Sequence, residues 1–109
     1  MVKHFYSFVV ETDTLFLEID SLTIEPHEKA HLKSLAESHI HHAVLDSILS
    51  ELTGADRKTF ASHLNSKNHE RTWKFINSKI RDAEEKIKEA ANLIKKELYK
   101  DIKEAILKS

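Results

Sequence analysis

The stretch Pro26 to Leu52, PHEKAHLKSLAESHIHHAVLDSILSEL, decides the fold. Proline is tolerated in the first turn of a helix, where its missing N–H has no intrahelical partner. After Pro26 nothing breaks a helix before Thr53-Gly54. The stretch therefore predicts one long helix over 26–52. At 100° per residue its apolar side moves. Leu32, Leu35, Ala36, Ile40 and Ala43 share one face, whereas Val44, Leu45, Ile48, Leu49 and Leu52 gather on the other. Either the helix breaks near His41-His42 or its halves pack on different neighbours. We expect one helix, its first half on the N-terminal segment and its second half on later helices.

The same logic extends outward. A chain of 109 residues with one glycine and one proline makes few tight turns, which favours helices. Thr53-Gly54-Ala55-Asp56 resembles a capping box with Asp in place of Glu. It opens a short helix over 54–65 that buries Phe60 and Leu64. Asn65 to Asn68 is a polar connector. Residues 68–108 follow as one kinked helix or two, because Asp82-Ala83-Glu84-Glu85 is a second start signal. Trp73, Ile76 and Ile80 turn inward. Ala83, Ile87, Ala91, Ile94, Leu98, Ile102 and Ala105 form one stripe. Glu84–Lys88, Lys100–Glu104 and Glu104–Lys108 are helix-spaced opposite charges.

Residues 1–24 read differently. His4 to Val10 is aromatic and β-branched, and Leu15, Leu17 and Ile19 alternate with Phe16, Glu18 and Asp20. This pattern predicts a β-hairpin turning at Glu11 to Thr14. Two strands are marginal alone, so the hairpin must pack on a helix. The expected fold is a single mainly α domain of three to four helices with a short N-terminal hairpin.

Composition narrows function. Hydrophobic residues make up 40% and charged residues 32%, which suits a folded domain. The absence of cysteine excludes disulfides, thiolate metal sites and cysteine nucleophiles. The N-terminal residues lack a signal peptide's long apolar stretch, and Phe5 to Val10 is too short to cross a bilayer. A cytoplasmic protein is expected. Net charge is −1, but residues 1–52 hold three Lys/Arg against nine Asp/Glu, and residues 53–109 hold fourteen against nine. The halves either attract each other within one fold or drive self-association.

Candidate sites centre on histidine. His27-Glu28-Lys29-Ala30-His31 matches the H-E-x-x-H pattern, in which two His one turn apart ligate Zn²⁺ and Glu activates a water. Glu37 stands where one variant of the pattern has its third ligand. Against a catalytic zincin, Pro26 puts the motif in a first turn, and Ser34 stands where the extended motif needs Gly. Eight His and twelve Glu also make a chance match unsurprising. His27, His31 and His42 lie on one face of a straight helix, near Ser34 and Ser38. They are the candidate metal ligands, against the bland reading of a solvated polar face. Lys67, Arg71, Lys74 and Arg81 share one side of the Trp73 helix, as a phosphate-binding stripe would. Trp73 faces the other way, which favours packing over stacking on bases. The C-terminal helix mixes Lys with Glu and Asp on its polar face, which favours packing on protein over a membrane surface. No Gly-x-Ser-x-Gly elbow or phosphate-cradling glycine loop is present.

Leu22, then Pro26 and Lys29 opening a helix, Leu49-Ser50-Glu51-Leu52, Asp56, Phe60 and Leu64, then Trp73, Phe75 and Ile76 form a pattern from Leu15 to Leu98. It resembles a family of short helical bacterial proteins from small-genome candidate phyla, a domain family of unknown function. The resemblance implies a mostly helical fold and supplies no site. Members of that family usually carry acidic residues where this chain has His27 to His31, and the aromatic stretch before Leu15 departs from their pattern. The expected function is a non-enzymatic protein–protein interaction or scaffold domain that self-associates, with no cofactor and no evident small-molecule substrate. A His-based metal protein and a nucleic-acid accessory protein are the alternatives.

Overall fold

A computed structural model of the protein describes residues 4–7 and 9–108, with side chains as far as Glu104. Expectations on Met1 to Lys3, on Phe8, on the Ala105 side chain and on the Glu104–Lys108 pair lie outside the described residues. Among these residues there are five helices and no strand: α1 (Asp13–Asp20), α2 (Pro26–Leu49), α3 (Gly54–Ser66), α4 (His69–Lys79) and α5 (Ala83–Lys108). The mainly α expectation holds. The hairpin and the count of three to four helices do not.

The N-terminal correction has a local cause. Leu15 and Ile19 are four residues apart, and both are fully buried. Leu17, which the alternating pattern would place beside them, is 68% exposed. The period is therefore helical. The Glu11 carboxylate accepts the backbone N–H of Thr14 at 2.7 Å, which gives one orphan donor of the first turn a partner. That bond holds the Glu11 carboxyl below its usual range. Ahead of α1, turns close by Ser7 N–H to His4 C=O and by Val9 and Val10 N–H to Tyr6 C=O. This winding buries Phe5, Tyr6 and Val10.

α2 is a single unbroken helix, and it ends at Leu49, with residues 50–52 in a turn. Its buried residues, Ala36, Ile40, Val44 and Ile48, recur every fourth position. A four-residue period advances about 40° each time on a helix of 3.6 residues per turn. The apparent switch of faces is thus one stripe winding round the helix. Arg57 Nε donates to the Leu49 carbonyl at 3.0 Å, bringing a cation to the last turn of α2.

The caps of the next elements follow the sequence. Thr53 accepts Asp56 N–H at 3.3 Å to start α3, and Asn68 accepts Arg71 N–H at 3.1 Å to start α4. Residues 68–108 are two helices. Ile80 is extended and Asp82 takes φ 55°, which breaks the run between α4 and α5.

α5 lies antiparallel to α2. Lys86, near its start, pairs with Glu51 at 3.0 Å, and Ile102, near its end, lines a cleft with Ala36. The predicted stripe is the seam: Ala83, Ile87, Ala91 and Ile102 are buried, and Ile94 and Leu98 are half-buried. Glu84 and Lys88 pair as expected, at 3.4 Å. α1 covers the outer end of this pair, while α3 and α4 pack on each other with Phe60 and Ile76 buried. Ile87 is fully buried in the seam. Truncation to Ala should cost about 2–5 kcal/mol in urea unfolding, the range for deleting a large aliphatic from a packed core. A cost under about 1 kcal/mol would show that the seam is loosely packed.

Candidate functional site

His27, His31 and His42 all lie exposed on α2. His27 and His42 are separated by about 22 Å along the axis, at 1.5 Å per residue. One chain therefore cannot bring all three to one ion. Among the described residues no three His, Asp or Glu side chains converge on a metal position. What the chain supplies is the His27–His31 pair, one helical turn apart, and His42 at a distance. Glu28 is exposed beside them, and no sheet backs the motif among the described residues.

Beside this face the helices leave an apolar cleft of ≈ 280 Å³. α1 and the turn after it contribute Ile19 and Leu22. α2 contributes Leu32, Leu35, Ala36 and His39. α5 closes it with Leu98, Asp101 and Ile102. Leu35 stands at the boundary between the cleft and the exposed face, and is itself 43% exposed. Scattered exposed apolar residues are normal, and Leu17 and Leu93 are of that kind. Leu35 differs because it is continuous with the apolar cleft.

A second cluster, on the other side of α2, escaped the sequence reading. Tyr6 and His41 form a hydrogen bond of 2.7 Å between Oη and Nδ1. The His4 ring stacks on Tyr6 at 5.0 Å and lies 4.5 Å from His41. His42 is 6.4 Å from His41. Burial, with Glu37 nearby, pushes the Tyr6 hydroxyl well above its usual range and keeps it protonated. Burial, then His4 and His42, lowers His41 and keeps it neutral. The Tyr6–His41 bond fastens one element to another. It joins the N-terminal segment to α2, as does the bond from Trp73 Nε1 to the Phe5 carbonyl. Only the fold brings positions 4, 6 and 41 together.

The basic residues Lys67, Arg71, Lys74 and Arg81 are exposed, as a phosphate-binding stripe requires. Trp73 is half-buried edge-on against Phe5 at 5.7 Å, so it serves the core. No helix among the described residues is long and apolar enough to cross a membrane. No family model, curated protein or solved structure matches the chain.

The fold holds His41 neutral, so between its lowered value and about 6.5 the unfolded chain binds more protons. Its contribution to stability is full above about pH 6.5 and is lost as pH falls below it. His41→Asn keeps an acceptor for Tyr6 and removes the titration. Urea midpoints at about pH 7.5 and about pH 5.5 should differ less in the variant than in the parent. An equal difference would show that His41 does not contribute.

Proposed function

We propose that this is a non-enzymatic interaction domain that self-associates through the outward face of α2. The observation that carries the reading is Leu35, exposed on that face and continuous with the apolar cleft between α1, α2 and α5. An apolar side chain from a second surface would bury there, gaining roughly 1.5–3 kcal/mol if fully covered.

Charge supports the reading. Among the ion pairs, Lys86–Glu51 joins the basic half of the chain to the acidic half, while Lys33–Asp20 and Lys79–Asp56 stay within one half. Much of the charge separation thus remains on the surface, available to orient an approaching copy. No arrangement of nucleophile, base and oxyanion donors competes with this reading among the described side chains. The exposed His27–His31 pair favours metal binding as a second reading, and the two readings are compatible.

Sedimentation or multi-angle light scattering, from low micromolar to submillimolar protein, tests the proposal. A dimer is expected, and Leu35→Glu should weaken it by about tenfold or more. A strict monomer, whether zinc or a chelator is present, would overturn it.

A further inference from the structure

The exposed positions of α2 have a symmetry that one chain cannot use. His27 and Asp46 are equidistant from the midpoint between Ala36 and Glu37, and so are His31 and His42. All four side chains are exposed. At 100° per residue they fall within a sector of about 100°, in the order His27, His31, His42, Asp46. Leu35 and Ser38 are exposed in the same sector near the midpoint, and Ser34 and His39, which the same symmetry pairs, are exposed about 20° beyond its two edges. The small or apolar side chains of Ser34, Leu35 and Ser38 allow a second helix to approach, with His39 at the rim beside the cleft.

A two-fold axis through that midpoint lays a second copy of α2 antiparallel on the first. His27 then lies level with Asp46 of the second copy, and His31 lies level with its His42. The four ligands occupy one section of the helix pair about 6 Å long, at 1.5 Å per residue. His31 and the opposing His42 point nearly straight across. His27 and the opposing Asp46 enter from opposite sides. Three imidazoles and one carboxylate are all donors that zinc accepts, and four is the number that a closed tetrahedral site needs. The axis generates a second identical set about 22 Å away.

We propose that zinc joins two copies of this chain, each ion held by His27 and His31 of one copy and by His42 and Asp46 of the other. The proposal rests on self-association through α2 and names what drives it. Stable interfaces bury roughly 1,200–2,000 Å², and this face offers Leu35 and a cleft beside it, so apolar burial alone leaves it weak. Each chain presents two half-sites, a His pair at one end of α2 and a His–Asp pair at the other. The site is complete only in the dimer, in keeping with the lack of a three-ligand cluster among the described residues of one chain.

The test uses the full chain without a histidine tag, with ZnCl₂, MgCl₂ or EDTA. The expected result is dimer with zinc, one zinc per chain, and a monomer–dimer Kd raised about tenfold or more by EDTA or by magnesium in place of zinc. The double variants His27→Ala/His31→Ala and His42→Ala/Asp46→Ala each lose the zinc-dependent dimer. Mixed, they regain it with one zinc per two chains, because a heterodimer rebuilds one complete site. All four substitutions are on the exposed side of α2, and circular dichroism identifies any variant that fails to fold. A dimer indifferent to zinc would overturn this inference and leave self-association standing. A monomer in zinc and in EDTA would overturn both. Zinc bound by the His27→Ala/His31→Ala variant as tightly as by the parent, or a mixture that stays monomeric, would overturn the shared site.

Discussion

The antiparallel seam between α2 and α5 is the contact on which the rest of the structure depends. Both helices repeat their buried residues at four-residue spacing over much of their length: Ala36, Ile40, Val44 and Ile48 on one, Ala83, Ile87 and Ala91 on the other. Small and large side chains alternate along α5, which lets the helices approach closely. The other elements seat on this pair. α1 presses Leu15 and Ile19 toward its outer end, and the segment from His4 to Val10 is tied to α2 through Tyr6 and His41.

The seam also fixes what α2 can offer to solvent. Its buried stripe winds round the helix, so the exposed sector is bounded by packed residues on both flanks. His27, His31, Ser34, Leu35, Ser38, His42 and Asp46 remain outside. A helix of 24 residues so exposed along one side is a natural surface for a second helix. The four-residue spacing that builds the core by burying Ile40 and Val44 recurs on the opposite side in His27–His31 and in His42–Asp46.

The helices were legible where local signals agreed. The α5 stripe, Pro26 at the start of α2, the Thr53 cap and the start signal at Asp82 all name their elements, because period and cap chemistry point the same way. The first 24 residues misled because Leu15, Leu17 and Ile19 fit a strand as well as a short helix. The Glu11 carboxylate at the head of α1 and the exposure of Leu17 decide it. The face switch on α2 was a straight-helix reading of a stripe that rotates. Of the candidate ligands, the sequence placed His27, His31 and His42 on one face, but not their distance along the axis as an obstacle to one ion. The Tyr6–His41 contact could not be read, since it joins residues 35 positions apart and no local pattern announces it.

The central claim is that α2 packs inward on α5 and outward on a second α2. The chain has no cysteine, so Ser38→Cys gives one site for a spin label near the proposed two-fold axis. Dipolar spectroscopy on the zinc-loaded protein should report a label separation of roughly 10–20 Å, one to two helix widths, that disappears in EDTA. A zinc-loaded dimer with its labels well beyond that range would place the interface on another face and contradict the account.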